Sequence, residues 1–200
     1  MTLHKLAPLC ALLLAGVAHA ASGNLVQNGS FETGGFDGWT AVLGDDTTFV
    51  DGSSTTGTHY DQATDGHWFA LFGSTEADGG ASISQALATV AGTRYTLSFD
   101  LANDTGGSSA ANAFSAAIGG DALLTFDLLG DQDYGHYSAS FTATGASTLL
   151  TLSGYNDVSY VEIDNVSVLA TAVPEPASAL LYLAGFAALG LWTRAKRRST

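Results

Sequence analysis

Cysteine, proline and basic residues are scarce in this 200-residue chain. The single cysteine, Cys10, lies in an N-terminal apolar run, so residues 21–172 hold no thiol, no disulfide and no thiolate metal centre. Stability there must come from packing, hydrogen bonds or metal. None of the three prolines falls between Ala21 and Val173. Of six Lys and Arg residues, Lys5, Arg194, Lys196, Arg197 and Arg198 occupy the ends, leaving Arg94 alone in residues 21–172. It stands against 18 Asp and Glu, since only Glu175 of the 19 acids lies outside that stretch. Such a balance repels phosphate backbones and anionic lipid and excludes nucleic acid as a partner. Neutral glycans and divalent cations fit it, and so does plain solvation of a secreted acidic domain.

Catalytic signatures are also missing. His59, His67 and His136 are scattered, and there is no Gly-x-Ser-x-Gly elbow, His-Glu-x-x-His helix or Cys-His pair. Paired carboxylates for glycoside hydrolysis cannot be singled out among so many acids. The expectation is a protein that is not an enzyme. Asn-x-Ser/Thr sequons at Asn28, Asn103 and Asn165 occur at chance frequency. Asp131 and Asp133 lack the glycine and glutamate spacing of an EF-hand loop, and Asp45-Asp46 reads as a solvated turn.

Targeting information sits at both ends. Lys5, the apolar run Leu6 to Val17 and Ala18-His19-Ala20 have the order of a secretory signal peptide over residues 1–20, so the exported chain starts near Ala21. At the other end, Pro174-Glu175-Pro176 precedes an apolar segment, Ala177 to Trp192, and the basic group Arg194, Lys196, Arg197 and Arg198. A helix over 177–192 would span roughly 24 Å, short of a hydrocarbon core of about 30 Å unless snorkelling and local thinning make up the difference. The basic cluster places the C-terminus in the cytoplasm. The two prolines keep Glu175 in an extended, unpaired and accessible stretch. An ordinary single-span anchor with a proline-containing linker would show the same physical features.

Residues 21–172 suit one domain with its own core. In Thr93 to Leu101, Tyr95, Leu97, Phe99 and Leu101 share one face while Arg94, Thr96, Ser98 and Asp100 share the other, the pattern of a half-buried strand. Strands are also predicted over 67–72, 81–87, 113–118, 123–128, 136–143, 147–152 and 159–169, punctuated by turns such as Asp78-Gly79-Gly80 and Gly106-Gly107. This predicts an all-β, two-sheet sandwich of jelly-roll type. In the last strand the apolar period of Val161 and Ile163 slips to Val166 and Val168, which predicts a bulge at Asp164-Asn165.

The tail over 173–200 resembles the PEP-CTERM sorting signal. That resemblance implies an exosortase as partner, transient membrane anchoring through the tail helix, and release to the cell surface or an extracellular polysaccharide or biofilm matrix. Asn24-Leu-Val-Gln-Asn-Gly-Ser-Phe-Glu32, Gly38-Trp39, and Tyr160-Val-Glu-Ile-Asp-Asn-Val-Ser-Val168 resemble the opening and close of galactose-binding-like jelly rolls, which include carbohydrate-binding modules. This resemblance implies neighbouring first and last strands and a structural calcium (Ca2+) held by Glu32 and Asp164, with carbonyls near Asn28 or Asp51. Local hydrogen bonding by Asp164 and Asn165 is the alternative. It also implies glycan recognition by aromatics that stack on sugar rings. Tyr60, Tyr134 and Tyr155 sit in polar, loop-like sequence, Trp68 lies in an apolar strand, and Trp39 is expected in the core.

Overall fold

The computed structural model describes residues 23–53, 62–108, 110–127 and 130–171. The signal peptide expected over residues 1–20, the sorting tail expected over 173–200, and His59 and Tyr60 lie outside the described residues. The described chain forms ten strands: β1 (Thr40–Val42), β2 (Thr48–Gly52), β3 (Trp68–Phe72), β4 (Ala81–Ala88), β5 (Arg94–Asp104), β6 (Asn112–Ile118), β7 (Asp121–Asp127), β8 (Gln132–Thr142), β9 (Ser147–Asn156) and β10 (Tyr160–Ala170). They pair antiparallel into two five-stranded sheets, sheet A in the order β1-β4-β9-β6-β7 and sheet B in the order β2-β3-β10-β5-β8. From β3 onward the chain alternates between sheets at nearly every connection, so most pairings join strands distant in sequence.

The core forms because alternate residues of both sheets face each other. Tyr95, Leu97, Phe99 and Leu101 of β5 are buried as their period demands, and Ile83, Leu87, Leu150 and Leu152 meet them from sheet A. Phe99 and Phe114 lie edge to face with centroids 5.5 Å apart, and Phe126 meets Tyr137 at 4.7 Å. Trp39 takes the expected core position, stacked on Phe31 at 6.2 Å, with its Nε1–H donating to the Asn28 carbonyl.

The N-terminal segment is not a strand, yet it does neighbour the last one. Leu25 N–H donates to Val168 O, Val168 N–H to Asn24 Oδ1, and Val166 N–H to Gly29 O. Gln27 reaches the other sheet, where its N–H donates to Gln85 Oε1. The predicted bulge is present: Asp164 pairs with Asp100 and Ser167 with Ser98, so Asn165 and Val166 oppose Phe99 alone. Asn165 adopts φ 52°, a left-handed value that Asn tolerates better than most residues.

Candidate functional site

Two surfaces carry the chemistry, one on the outer face of each sheet. On sheet B, alternation turns Val161 and Ile163 into the core and sends Glu162 and Asp164 outward, yet both acids are buried. Residues 64–68 are tied down at this face. Asp164 Oδ2 accepts from Thr64 N–H at 2.6 Å and Asp65 N–H at 2.8 Å, and Asp164 Oδ1 accepts from Asn165 N–H at 2.6 Å. Glu32 Oε1 accepts from the N–H groups of His67 and Trp68, both at 2.7 Å. Gly66 permits that clamp, because at its φ of +77° a Cβ would stand 2.2 Å from the Glu32 carboxyl carbon.

Asp100 and Asp164 sit side by side across β5 and β10 and divide the available protons unequally. The Thr64 hydroxyl lies 2.7 Å from Asp100 Oδ2 and 3.1 Å from Asp164 Oδ2, and its one proton serves one of them at a time. Burial pushes Asp100 up, but hydrogen bonds from Thr64, His136 and Asn165, with the His136 charge, more than offset it and hold the carboxyl below its usual value. Asp164 goes the other way, because burial outweighs its hydrogen bonds and pushes it up. Burial, then the charges of Glu162, Asp164 and Asp100, push the Tyr134 phenol far up.

Stability therefore responds to pH with opposite signs at the two acids. The contribution of Asp100 is present above the ordinary aspartate value of about 3.9 and lost as pH falls through its lower folded value. The stability linked to Asp164 is present below that ordinary value and lost as pH rises through its higher folded value. Asp100→Asn should accordingly flatten the acid side of the stability profile. Thermal melts between about pH 2 and 5 would show a smaller fall than in the unsubstituted protein, and an unchanged profile would refute the assignment.

As arranged here, Glu32 and Asp164 have the surroundings of loop anchors. Donor N–H groups engage Glu32 Oε1 and both Asp164 oxygens, atoms that a calcium ion, needing six to eight oxygens, would draw on. Among the described residues, no group of three or more His, Cys, Asp or Glu side chains converges so as to hold a metal. No step of the reading below uses a calcium ion. A melting temperature equal in chelator and in excess calcium is the expected result; a rise with calcium would restore the ion.

The outer face of sheet A is open. Register aligns Ser82, Ser153, Ser115 and Thr125 in one row across β4, β9, β6 and β7, and Tyr155, Ala113 and Asp127 in the next. Tyr155, Asp127, Ser115, Thr125, Ser153 and Gly80 line a depression of about 220 Å³. Among the described residues, the side chains of Tyr155, Asp127, Ser115, Thr125 and Ser153 make no hydrogen bond of their own. Partial burial, then the carboxylates of Glu76, Asp127 and Asp157, push the Tyr155 phenol up. An aromatic ring beside unengaged hydroxyls and a carboxylate can stack on a sugar ring and exchange hydrogen bonds with its hydroxyls.

The other aromatics expected to hold sugar are placed differently. Trp68 packs against the core and edge-on to His67, with centroids 5.4 Å apart, so its indole fills the sandwich margin. Tyr134 is half-buried, its hydroxyl enclosed at the acidic face of sheet B. Ser115, Thr125, Ser153 and Asp127 were not candidates from sequence. Each is an outward residue of an alternating strand, a signal shared by dozens of positions.

The chain matches no family model, and a search of curated proteins finds no relative. Solved structures are informative. The TmCBM61 module, solved with β-1,4-galactotriose, superposes with a TM-score of 0.59 at 16% identity, over 75% of this chain and 100% of that one. This chain's two-sheet all-β sandwich shares the jelly-roll fold of that module. The CBM22-1 xylan-binding domain of Paenibacillus barcinonensis Xyn10C gives 0.54 at 21% identity, over 78% of this chain and 100% of that one. The enzymatically active domain of bacteriophage CBA120 tailspike protein 4 gives 0.53 at 17% identity, over 74% of this chain but 21% of that one. Identities this low establish a shared fold and leave function to the site.

Proposed function

We propose that the domain is a non-catalytic carbohydrate-binding module that holds polysaccharide against the outer face of sheet A. The observation that supports this is the Tyr155 depression, where one ring, three hydroxyls and the Asp127 carboxylate lack partners within the described protein. Solvent-facing hydroxyls and a carboxylate beside an aromatic ring are groups that a sugar's hydroxyls and ring face can engage in place of water. The carboxylates of sheet B are an unsuitable acid and base, because Asp100 and Asp164 are committed to holding residues 64, 65 and 165.

Export by the signal peptide, sorting by the PEP-CTERM-like tail through an exosortase, and residence at the cell surface or in an exopolysaccharide matrix belong to the same proposal. A surface-held glycan binder would anchor matrix to the cell. Loss of surface retention on deleting residues 173–200 is expected; unchanged retention would remove the tail from the proposal.

Titration with β-1,4-galactan and xylan oligosaccharides tests the binding reading. Tyr155→Ala should weaken any saturable binding about fivefold or more, since one stacking aromatic contributes on the order of 1–3 kcal/mol at such sites. Binding that survives the substitution would place the site elsewhere.

A further inference from the structure

We propose that the Tyr155 depression prefers polysaccharides bearing protonated amines, such as de-N-acetylated hexosamine polymers, over their acetylated or anionic counterparts. This rests on the carbohydrate-binding reading above and names the substrate class of that site.

Geometry supplies the first argument. Tyr155 on β9 and Asp127 on β7 are aligned through Ala113 of the intervening strand, so about 9–10 Å separates their backbones, two strand spacings. The small side chain of Ala113 leaves the floor between them low, and the neighbouring row of Ser153, Ser115 and Thr125 supplies hydroxyls along one side. A sugar ring seated over Ala113 has an aromatic on one flank and a carboxylate on the other. An ammonium on that ring can meet both, by cation–π attraction and by a charge-assisted hydrogen bond. An acetamido group in the same place carries no charge for the ring or the carboxylate to attract, and has one N–H to donate where the ammonium has three.

Charge supplies the second argument. Asp157 lies in the turn that follows Tyr155, and its Oδ1 accepts the N–H of Glu76, which brings a further acid to the rim. Arg94, the sole Lys or Arg of residues 21–172, begins β5, whereas Asn103 near the other end of that strand bonds Asn156, the neighbour of Tyr155. Nine residues of extended strand put it about 30 Å from this end of the molecule, several times the screening length of about 8 Å in physiological salt. Among the described residues no Lys or Arg is at hand to balance a uronate or sulfate, and several carboxylates would repel one.

The test is calorimetric titration of the protein at mildly acidic pH and low salt with four probes: glucosamine hexamer, N-acetylglucosamine hexamer, xylohexaose and oligogalacturonate. The amine-bearing hexamer should bind about tenfold tighter than its acetylated form, with the preference shrinking in high salt. Asp127→Asn should bring the two affinities together, whereas Asp51→Asn, on the outer face of sheet B, should leave the preference intact. Equal binding of the two hexamers, strongest binding of oligogalacturonate, or a preference that survives Asp127→Asn would each overturn the inference while leaving a carbohydrate-binding domain. Failure of every probe to bind, or binding indifferent to Tyr155→Ala, would overturn the site itself.

Discussion

Gly29→Ala is expected to destabilise the domain by roughly 3 kcal/mol, at the upper end for overpacking a tight contact. A Cβ at this position would lie 2.0 Å from the Val166 carbonyl oxygen and 3.2 Å from a Val26 methyl. The carbonyl belongs to the bulge of β10, and the same two residues are joined by the Val166 N–H bond to Gly29 O at 2.9 Å. Backbone on both sides leaves no flexible side chain to move aside, so relief requires breaking that bond or shifting the N-terminal segment off β10. Urea denaturation measures the loss. Gly23→Ala is the control, because a Cβ there meets nothing within 4 Å and the change should stay within about 0.5 kcal/mol. Equal midpoints for the two variants would show that the close approach of Gly29 to β10 is not as described.

Asp164→Ala should cost about 2–3 kcal/mol, with the m-value unchanged. Its removal strips partners from three backbone N–H groups, those of Thr64, Asp65 and Asn165. Each orphaned donor costs about 1–3 kcal/mol when buried, but Thr64 and Asp65 are exposed residues whose amides can turn to water. Removing a buried carboxylate that burial already penalises returns part of the loss. Asp164→Asn should fall between, since its amide nitrogen would face a donor at one of the two oxygen positions. Limited proteolysis gives a second readout: cleavage near residues 62–67 should accelerate in Asp164→Ala before global unfolding does. Midpoints within 0.5 kcal/mol of the original would mean that residues 64 and 65 hold their place without Asp164.

Both effects converge on the bulge of β10, and that bulge was legible in the chain. The slip from Val161 and Ile163 to Val166 and Val168 cannot be accommodated by an uninterrupted pleat, so an extra residue had to sit between. Eight strands were legible, most from an alternating run of useful length and β3 from a continuous apolar one. β1 and β2 were not. β1 is three exposed residues, and β2 ends in Asp51-Gly52, which reads as a turn; both exist because a neighbouring strand offers them a ladder.

The candidate site was legible in one residue. Tyr155 stood out as an aromatic in polar sequence, but Trp68 and Tyr134 had comparable claims. What separates them is which neighbour covers them: the core margin beside His67 for Trp68, the acidic cluster of sheet B for Tyr134, and an open floor of Ala113, Ser115 and Ser153 for Tyr155. Glu32 and Asp164, expected from the sequence as calcium ligands, hold the chain over 64–68 through amide donors, a role the sequence did not announce.

By itself the sequence determined what depends on local period and on composition: the all-β character of residues 21–172, the position of the bulge, the absence of disulfides, and an acidic domain with Arg94 as its one Lys or Arg. Tertiary structure alone decided which strands became neighbours. Thr125 and Asp127 come beside Ser153 and Tyr155 because β6 and β7 pack next to β9, and Asp100 meets Asp164 because β5 and β10 pair across some 60 residues of chain. Such pairings are set by the summed burial of two whole sheet faces, to which each residue contributes little, so no short stretch of sequence contains them.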